Sequence, residues 1–182
     1  NYIDDFYKRT DNKHDLRFLL LVESALGVTQ LDDLASLSKR TDALLLGAEA
    51  YSVSMGVERS KKSKELEYAR FCLATAAHAY GLEAIDTPYT DIDDTEGLIE
   101  DTKFIRSIGM TGRLIVNPRQ IRDVHEILSP TQDEIENALA ILDEAKIAEE
   151  EGRGVFSFKG KMVDKPVIDR AENLVAAARN WG

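Results

Sequence analysis

The chain has 182 residues, of which 43% are hydrophobic and 31% are charged, and its formal net charge is −10 at pH 7. This length and composition predict one soluble globular domain with a sizeable core. The acidic balance argues against a nucleic-acid partner, which would require a clustered basic surface, and more weakly against an anionic membrane surface.

Cysteine content and hydropathy bear on the cellular compartment. The single cysteine, Cys72, cannot form a disulfide within the chain, which favours a reducing compartment. No signal peptide is recognisable, and no apolar run approaches the roughly 20 residues of a membrane span. We therefore expect a cytoplasmic protein that does not enter the membrane. The one basic run, residues 59–64 (RSKKSK), is expected to be a solvated loop or helix start, although such a loop also suits a phosphate.

Strand-like and helix-like segments alternate over most of the chain. The first predicted strand, residues 17–23 (RFLLLVE), is a continuous apolar run typical of a strand that is buried on both faces. Thr29 is the candidate N-cap of the helix that follows it, and Gly81 and Gly109 close the next two helices. Three further strands are predicted at residues 43–46, 83–85 and 112–120. Four strand–helix units in succession predict a parallel α/β fold.

The last fifty residues have a different pattern. Thr131, with Glu134 three residues later, has the capping-box spacing that begins a long amphipathic helix. Residues 154–163 alternate like a strand or a small hairpin with Gly160 at its turn, and Asp164 lies near the N-cap of a terminal helix. This part therefore resembles an appended element rather than another strand–helix unit.

Four strand–helix units do not close an eight-stranded barrel, which takes about 250 residues. The pattern fits either a small open parallel sheet or one half of a barrel. In both folds ligands gather at the carboxyl ends of the strands. The polar residues at those ends are Glu23, Glu49, Asp86 and Asn117.

Five segments that occur in order carry a resemblance to a known family: LLLVESALGV, DALLLGAEAYSVSMG, LEAIDTPYTDIDDTEGL, TGRLIVNPRQI and EEEGRGVFSFKGKMVDKPVIDRA. From about residue 16 onwards the chain resembles the second half of citrate lyase β-subunit-like proteins of the HpcH/HpaI aldolase superfamily, which includes the malyl-CoA lyases. The resemblance implies a (β/α)8 TIM barrel. Residues 1–130 would hold its strands five to eight, and residues 131–182 a C-terminal helical extension or lid.

The resemblance also implies a function. Members of the family cleave or form a carbon–carbon bond next to an acyl thioester, as in citryl-CoA or malyl-CoA, and they bind Mg²⁺ through carboxylates after strands five and six. Mg²⁺ prefers oxygen ligands and polarises a keto-acid carbonyl. The implied partners are a small-molecule substrate, an acyl-CoA or a keto acid, and further copies of the chain in a homo-oligomer such as a trimer.

The resemblance implies positions for the two metal ligands in this chain. Glu23 falls on the first ligand, with the capping of a nearby loop as the alternative. Gly47, Ala48 and Glu49 match the first three positions of the family pattern G-A-E-D, but the liganding aspartate is Ala50 here. Glu49 is a weaker replacement, because consecutive side chains point in different directions.

Substrate contacts are implied for Gly47, Ala48, Asp86, Pro88 and Asn117. Asp86 either orients the substrate or a basic neighbour, or it is a structural carboxylate. Asn117 replaces the histidine of the family pattern I-H-P-x-Q, and an amide cannot shuttle a proton.

Asp164 in GKMVDKPV matches the acid–base aspartate that related thioester lyases carry on the C-terminal segment, often from a neighbouring subunit. Its alternative role is to N-cap the last helix.

Two functional hypotheses follow from these matches and mismatches. The first is a citrate-lyase-β-like carbon–carbon lyase with an atypical metal site, in which Glu23 holds the metal and Asp164 is the acid–base residue. The second is a catalytically degenerate homologue that retains CoA or metabolite binding in a regulatory role. Ala50 and Asn117 favour the second hypothesis, whereas Glu23 and the segment around Asp164 favour the first. We take the lyase as the leading hypothesis.

Overall fold

A four-stranded parallel sheet organises the first part of the chain in the computed structural model, which describes residues 2–10 and 16–180. Its spatial order follows the chain order, and each pair of neighbouring strands is parallel. The strands are β1 (Phe18–Val22), β2 (Thr41–Leu46), β3 (Glu83–Asp86) and β4 (Gly112–Arg113). The predicted parallel α/β fold is confirmed.

Helices connect these strands and flank them along the chain. They are α1 (Tyr2–Thr10), α2 (Ala25–Thr29), α3 (Leu31–Ser36), α4 (Ala48–Met55), α5 (Glu67–Ala79), α6 (Thr95–Ser107) and α7 (Ile121–Leu128), with 3₁₀ turns at Lys64–Leu66 and Pro118–Gln120. Gly81 and Gly109 have left-handed φ angles of 67° and 92° just beyond α5 and α6, as predicted for helix-closing glycines.

The core of this part lies between the sheet and α5. Leu44 and Leu46 of β2 are fully buried, and so are Leu73 and Ala77 of α5. The two α5 residues are four positions apart and therefore share one helix face, which packs on β2 and β3. The burial predicted for the second strand is confirmed.

The first strand differs from its prediction. Leu19 is 62% exposed and Leu21 is 50% exposed, so the expectation that this strand is buried on both faces is wrong for the described residues. Leu19 and Leu21 are two positions apart and therefore lie on the same face of the strand, which the described residues leave exposed, and among these residues β1 pairs with β2 alone.

The start of the helical segment after β1 also differs from its prediction. Ser24 is the N-cap, and its Oγ accepts a hydrogen bond from Gly27 N at 3.0 Å. Thr29 ends α2, and its hydroxyl donates to the carbonyl of Leu26 at 2.8 Å, so the predicted capping role of Thr29 is wrong. The segment breaks into two short helices at Gln30, whose backbone angles of φ −112° and ψ 20° are not helical and which makes no side-chain cap.

The described residues form two compact units, which divide between Val124 and His125. The second unit contains α8 (Gln132–Glu150), β5 (Phe156–Phe158), β6 (Lys161–Val163) and α9 (Lys165–Asn180). The capping box of Thr131 and Glu134 and the antiparallel hairpin with Gly160 at its turn are confirmed. The interpretation of residues 1–130 as half a barrel and residues 131–182 as a lid stays a prediction. None of the described helices combines the length and the hydropathy that a bilayer crossing requires.

Candidate functional site

The carboxyl ends of β1 and β2 bring Glu23 against Gly47. Gly47 N donates to the carbonyl of Val22 at 2.9 Å, next to Glu23 in the chain. A Cβ atom at position 47 would lie 2.5 Å from Glu23 Cγ and 2.9 Å from Glu23 Oε1. The side chain of Glu23 therefore lies directly over the backbone of Gly47, an approach that only glycine permits, while it remains exposed to solvent.

Helix α4 begins immediately after β2 and ties the second strand end to the third. Ala48 is buried, and its backbone N–H donates to Thr87 Oγ1 at 3.4 Å, just beyond the end of β3. Ala50 is exposed in the first turn of this helix and presents only a methyl group. The ends of three neighbouring strands thus meet at Glu23, Gly47, Ala48 and Thr87.

Glu49 is engaged with a basic residue rather than with Glu23. Its side chain is 69% exposed, and its Oε1 lies 3.5 Å from Arg59 Nε. Among the described residues, no group of three or more His, Cys, Asp or Glu side chains is placed to hold a metal ion. Mg²⁺ sites often use only one or two protein carboxylates together with waters and substrate oxygens. Glu23 fits such a site as a single exposed carboxylate, and Ala50 adds no ligand to it.

Asp86 is fully buried in a network with two arginines. Its Oδ1 accepts from Arg70 Nε at 3.0 Å, and its Oδ2 accepts from Arg70 Nη2 at 2.8 Å and from Arg113 Nη2 at 2.7 Å. Asp101 of α6 accepts hydrogen bonds from the same two arginines. Burial alone would raise the pKa of Asp101, but its hydrogen bond to Arg70 and the charges of both arginines lower that pKa. The geometry favours a structural Asp86 that orients two basic side chains, and its contact with a substrate stays a prediction.

Sequence reasoning missed Arg70, although its position carried a signal. Arg70 precedes Leu73, Ala74 and Ala77 by three, four and seven residues, so it shares the apolar face of α5 with them. An arginine on such a face requires a buried acidic partner. That partner is identifiable only once the strand end carrying Asp86 is placed under the helix.

The loops after β3 and β4 are joined by Gln120, another residue that the sequence did not single out. Gln120 is buried, donates from Nε2 to the carbonyl of Tyr89 at 2.8 Å and accepts at Oε1 from Val116 N at 3.2 Å. Asn117 Oδ1 accepts from Arg119 N at 3.0 Å and caps the 3₁₀ turn. Pro88 is half-buried in the loop that Gln120 holds.

Asp164 lies in the second unit, whereas the other candidate site residues lie in the first. Its backbone carbonyl accepts hydrogen bonds from Val167 N and Ile168 N at the start of α9. Among the described residues, none forms a hydrogen bond or ion pair with its half-buried carboxylate. The carboxylate is therefore available for chemistry, although its predicted acid–base role stays a prediction.

Comparison with known proteins assigns the family. The model of the HpcH/HpaI aldolase/citrate lyase family matches residues 4–118. The chain belongs to this family. The predicted resemblance is thereby confirmed.

Relatives of this family member include named lyases. The chain is 40% identical over 164 residues to the citrate lyase subunit beta of Haemophilus influenzae. This match covers 90% of this chain and 56% of that protein. It is 30% identical over 171 residues to the mitochondrial citramalyl-CoA lyase of Mus musculus. That match covers 90% of this chain and 51% of the relative. The chain thus spans about half the length of the curated relatives it matches.

A solved structure has a fold similar to that of this chain. The crystal structure of protein CitE from Mycobacterium tuberculosis, in complex with magnesium, acetoacetate and coenzyme A, matches with a TM-score of 0.76 at 28% identity. The match covers 90% of this chain and 61% of that one.

Proposed function

We propose that this protein cleaves or forms a carbon–carbon bond in a hydroxy-acid thioester of coenzyme A, yielding or consuming a keto acid and an acyl thioester. Family membership and the lyase relatives support this reaction class. The observation that carries the proposal is the seating of Glu23 over Gly47 at adjacent parallel strand ends, where barrel enzymes hold their substrates.

Each candidate residue takes a role in this proposal. Glu23 would hold Mg²⁺, and the ion, when bound, would polarise the keto-acid carbonyl. Gly47 and Ala48 admit the substrate next to Glu23, and Asn117 offers an amide that can hydrogen-bond to it. Asp164 exchanges a proton with the methyl carbon of the acyl thioester, from the same chain or from another copy in a homo-oligomer.

The fold proposal is a (β/α)8 barrel to which this chain contributes strands five to eight. Both edges of the sheet, β1 and β4, are unpaired among the described residues, and Leu19 and Leu21 of β1 are exposed. Open edges with exposed apolar side chains are unfavourable, and closure of a barrel removes them. Four further strand–helix units would supply that closure.

A second candidate, a binding homologue without catalysis, is favoured by one particular observation. The first turn of α4 presents Ala50 where the family pattern has a liganding aspartate, and the neighbouring Glu49 faces Arg59. Such a protein would retain CoA or metabolite binding without turnover.

Calorimetric titration of the full-length protein with Mg²⁺, in the presence of oxaloacetate or pyruvate, tests the proposal. We expect metal-dependent binding that Glu23→Gln abolishes and Ala50→Asp strengthens. Glu83→Gln is the matched control, because Glu83 is exposed at the opposite end of β3. If neither the wild type nor Ala50→Asp shows metal-dependent binding or cleavage of acyl-CoA substrates, the lyase proposal fails. Binding of CoA without any cleavage would then support the second candidate.

A further inference from the structure

The basic run at residues 59–64 lies beside the loop that follows β3. Lys61 Nζ is 2.9 Å from Asp94 Oδ2, and this ion pair fastens the two loops together. Between the loops is a cavity of about 260 Å³, with residues 59–61 and Ser63 on one wall and residues 89–91 on the other. The loop after β3 follows a strand at its carboxyl end, where ligands bind in parallel α/β folds, and the basic run follows α4 in the connection from β2 to α5.

Arg59 gives this cavity a guanidinium with unused hydrogen-bonding capacity. Its side chain is only 22% exposed, and its Nε lies 3.5 Å from a carboxylate oxygen of Glu49 and of Glu65 without a hydrogen bond to either. Its Nη1 has no hydrogen-bond partner among the described residues. Nη2 lies 3.5 Å from Ser63 Oγ. A buried donor without a partner is unfavourable, so Nη1 of Arg59 is suited to a further acceptor, and an anionic ligand there would share the guanidinium with Glu49 and Glu65.

Ser63 adds a hydroxyl in an unusual backbone conformation. It is 3% exposed and has a left-handed φ of 50°, which is uncommon for a residue other than glycine. Its N–H donates to the carbonyl of Ser60 at 3.0 Å, so the loop folds back on itself and keeps both serines beside Arg59.

A second cavity of about 410 Å³ adjoins the first through shared walls at Lys61 and Tyr89. It adds Lys62 and Lys64 and the ring of Phe104. Three lysines and the aromatic ring of Phe104 therefore border this space, together with the acidic residues Glu67, Glu100 and Asp101. Its volume falls within the range of small-molecule sites, which is about 300–1,000 Å³.

We propose that these adjoining cavities bind a phosphorylated ligand, with Arg59 and Lys61 holding its phosphate groups and Phe104 contacting its organic part. A phosphate suits the site because arginine and lysine are the cations that proteins use for phosphate recognition. The hydrogen bond to Asp94 raises the pKa of Lys61, so this ammonium stays charged throughout the physiological range.

Carboxylates near the cavities set a limit on anion binding. Glu65 is engaged by the backbone and hydroxyl of Ser60 and by Arg59, and Asp101 is held by Arg70 and Arg113, so both are already paired. Glu67 and Glu100 also line the larger cavity and oppose an anion there. Asp91 on the wall of the smaller cavity opposes an anion directly. Its removal should therefore strengthen binding.

Two sources of phosphate share this chemistry. One is the nucleotide part of an acyl-CoA, in which case the inference rests on the proposed function. The other is a free phosphorylated metabolite that regulates the protein. Pyrophosphate and CoA are the probes that separate these sources.

The test is calorimetric titration of the full-length protein with pyrophosphate and with CoA, for the wild type, Lys61→Gln, Arg59→Gln and Asp91→Asn. We expect both Lys61→Gln and Arg59→Gln to weaken binding by about tenfold or more, the loss that follows from one charge-assisted hydrogen bond. Asp91→Asn should tighten binding. Lys39→Gln is the control, because it removes the same charge from an exposed residue before β2, at the opposite end of the sheet. Thermal unfolding of each variant verifies that the fold is kept, and Lys61 is 74% exposed, so its replacement leaves the core intact.

The outcomes separate this site from the lyase proposal. Competition between pyrophosphate and CoA supports the acyl-CoA source, and pyrophosphate binding that CoA does not displace supports a separate regulator. The site is overturned if the wild type binds neither probe, or if Lys61→Gln and Arg59→Gln bind both as the wild type does. In the latter case, continued cleavage of acyl-CoA would leave the lyase proposal standing. If instead these variants lose pyrophosphate binding and the wild type has no lyase activity, the site is supported and the lyase proposal is not.

Discussion

At the scale of single residues, Gly47 controls where the carboxylate of Glu23 can lie. Replacing it with alanine places a Cβ 2.5 Å from Glu23 Cγ, and the exposed side chain of Glu23 must move away. Because a flexible side chain yields easily, we expect Gly47→Ala to keep its melting temperature close to that of the wild type. Its Mg²⁺ affinity should fall by about tenfold or more, as happens when the support of a ligand is lost.

Gly154→Ala is the control for that variant, because no atom lies within 4 Å of the added Cβ. Thermal unfolding and Mg²⁺ titration of both variants provide the comparison. Equal metal affinity in Gly47→Ala and Gly154→Ala would show that the position of the Glu23 side chain over Gly47 has no part in metal binding.

Asp86 permits a second prediction about a single residue. Asp86→Asn leaves Arg70 and Arg113 without their full charge partner in a buried site, and breaking such a network costs about 3–5 kcal/mol. We expect a clearly lower urea midpoint. Asp42→Asn, which breaks an exposed pair with Arg17, should cost about 1 kcal/mol or less. An Asp86→Asn protein with wild-type stability and impaired substrate binding would instead favour the substrate role.

Sequence reasoning located the residues of the strand ends but not their contacts. Glu23, Gly47 and Asn117 each stand at the end of an apolar run, which is a local signal. The pairing of Asp86 with Arg70 and Arg113 depends on the relative placement of β3, α5 and β4, and no local pattern contains that information.

At the scale of secondary-structure elements, Asp94 both caps helix α6 and binds Lys61 of the neighbouring basic loop. Asp94 caps α6 by accepting from Gly97 N at 3.0 Å, and it also accepts from Tyr89 Oη at 2.9 Å and pairs with Lys61. The hydrogen bonds from Lys61, Gly97 and Tyr89 lower the pKa of Asp94 from 3.8 to about 2.

A prediction about pH follows from that lowered pKa. A carboxyl group whose pKa is lower in the folded state stabilises the fold above pH 3.8, and this stabilisation is lost as the pH falls towards about 2. Asn at this position keeps the cap but lacks the charge. The difference in melting temperature between the wild type and Asp94→Asn should therefore be largest near neutral pH and should vanish near pH 2. A difference that does not change with pH would contradict the assignment of the charge.

Helices with clear caps were predictable, and segments defined by tertiary contacts were not. Thr131 with Glu134 identified the start of α8, and Gly81 the end of α5, because each signal lies within one turn of helix. Thr29 does not cap the helix that follows it, because its hydroxyl donates to a competing acceptor, the carbonyl of Leu26. The fourth strand is only Gly112–Arg113, shorter than its apolar run predicted.

At the scale of the whole molecule, the exposed side chains of β1 test the barrel proposal. If a preceding half of the protein covers them, Leu19→Ala in the full-length protein should lower the free energy of unfolding by about 2–5 kcal/mol. If β1 remains an open edge, the change should stay within about 0.5 kcal/mol. Urea denaturation distinguishes these results, and Leu37→Ala, at an exposed leucine just after α3, is the control.

The sequence alone supports a parallel α/β fold but leaves its closure open. Strand–helix alternation specifies which neighbours pair, because consecutive parallel strands need a crossover between them. Closure of a barrel depends on what lies against the free edges of β1 and β4, and none of the four strands carries a signal for that.

The network of Arg70, Asp86, Asp101 and Arg113 has a consequence for the evolution of this chain. It links α5, β3, α6 and β4 through buried charges, and the loss of one member leaves others uncompensated. At about 3–5 kcal/mol, such a loss would consume a large share of the roughly 5–15 kcal/mol by which a domain is stable. Descendants can therefore replace this set by apolar residues only through nearly simultaneous substitutions. The four positions are expected to vary together among related sequences, even where the residues at the strand ends drift.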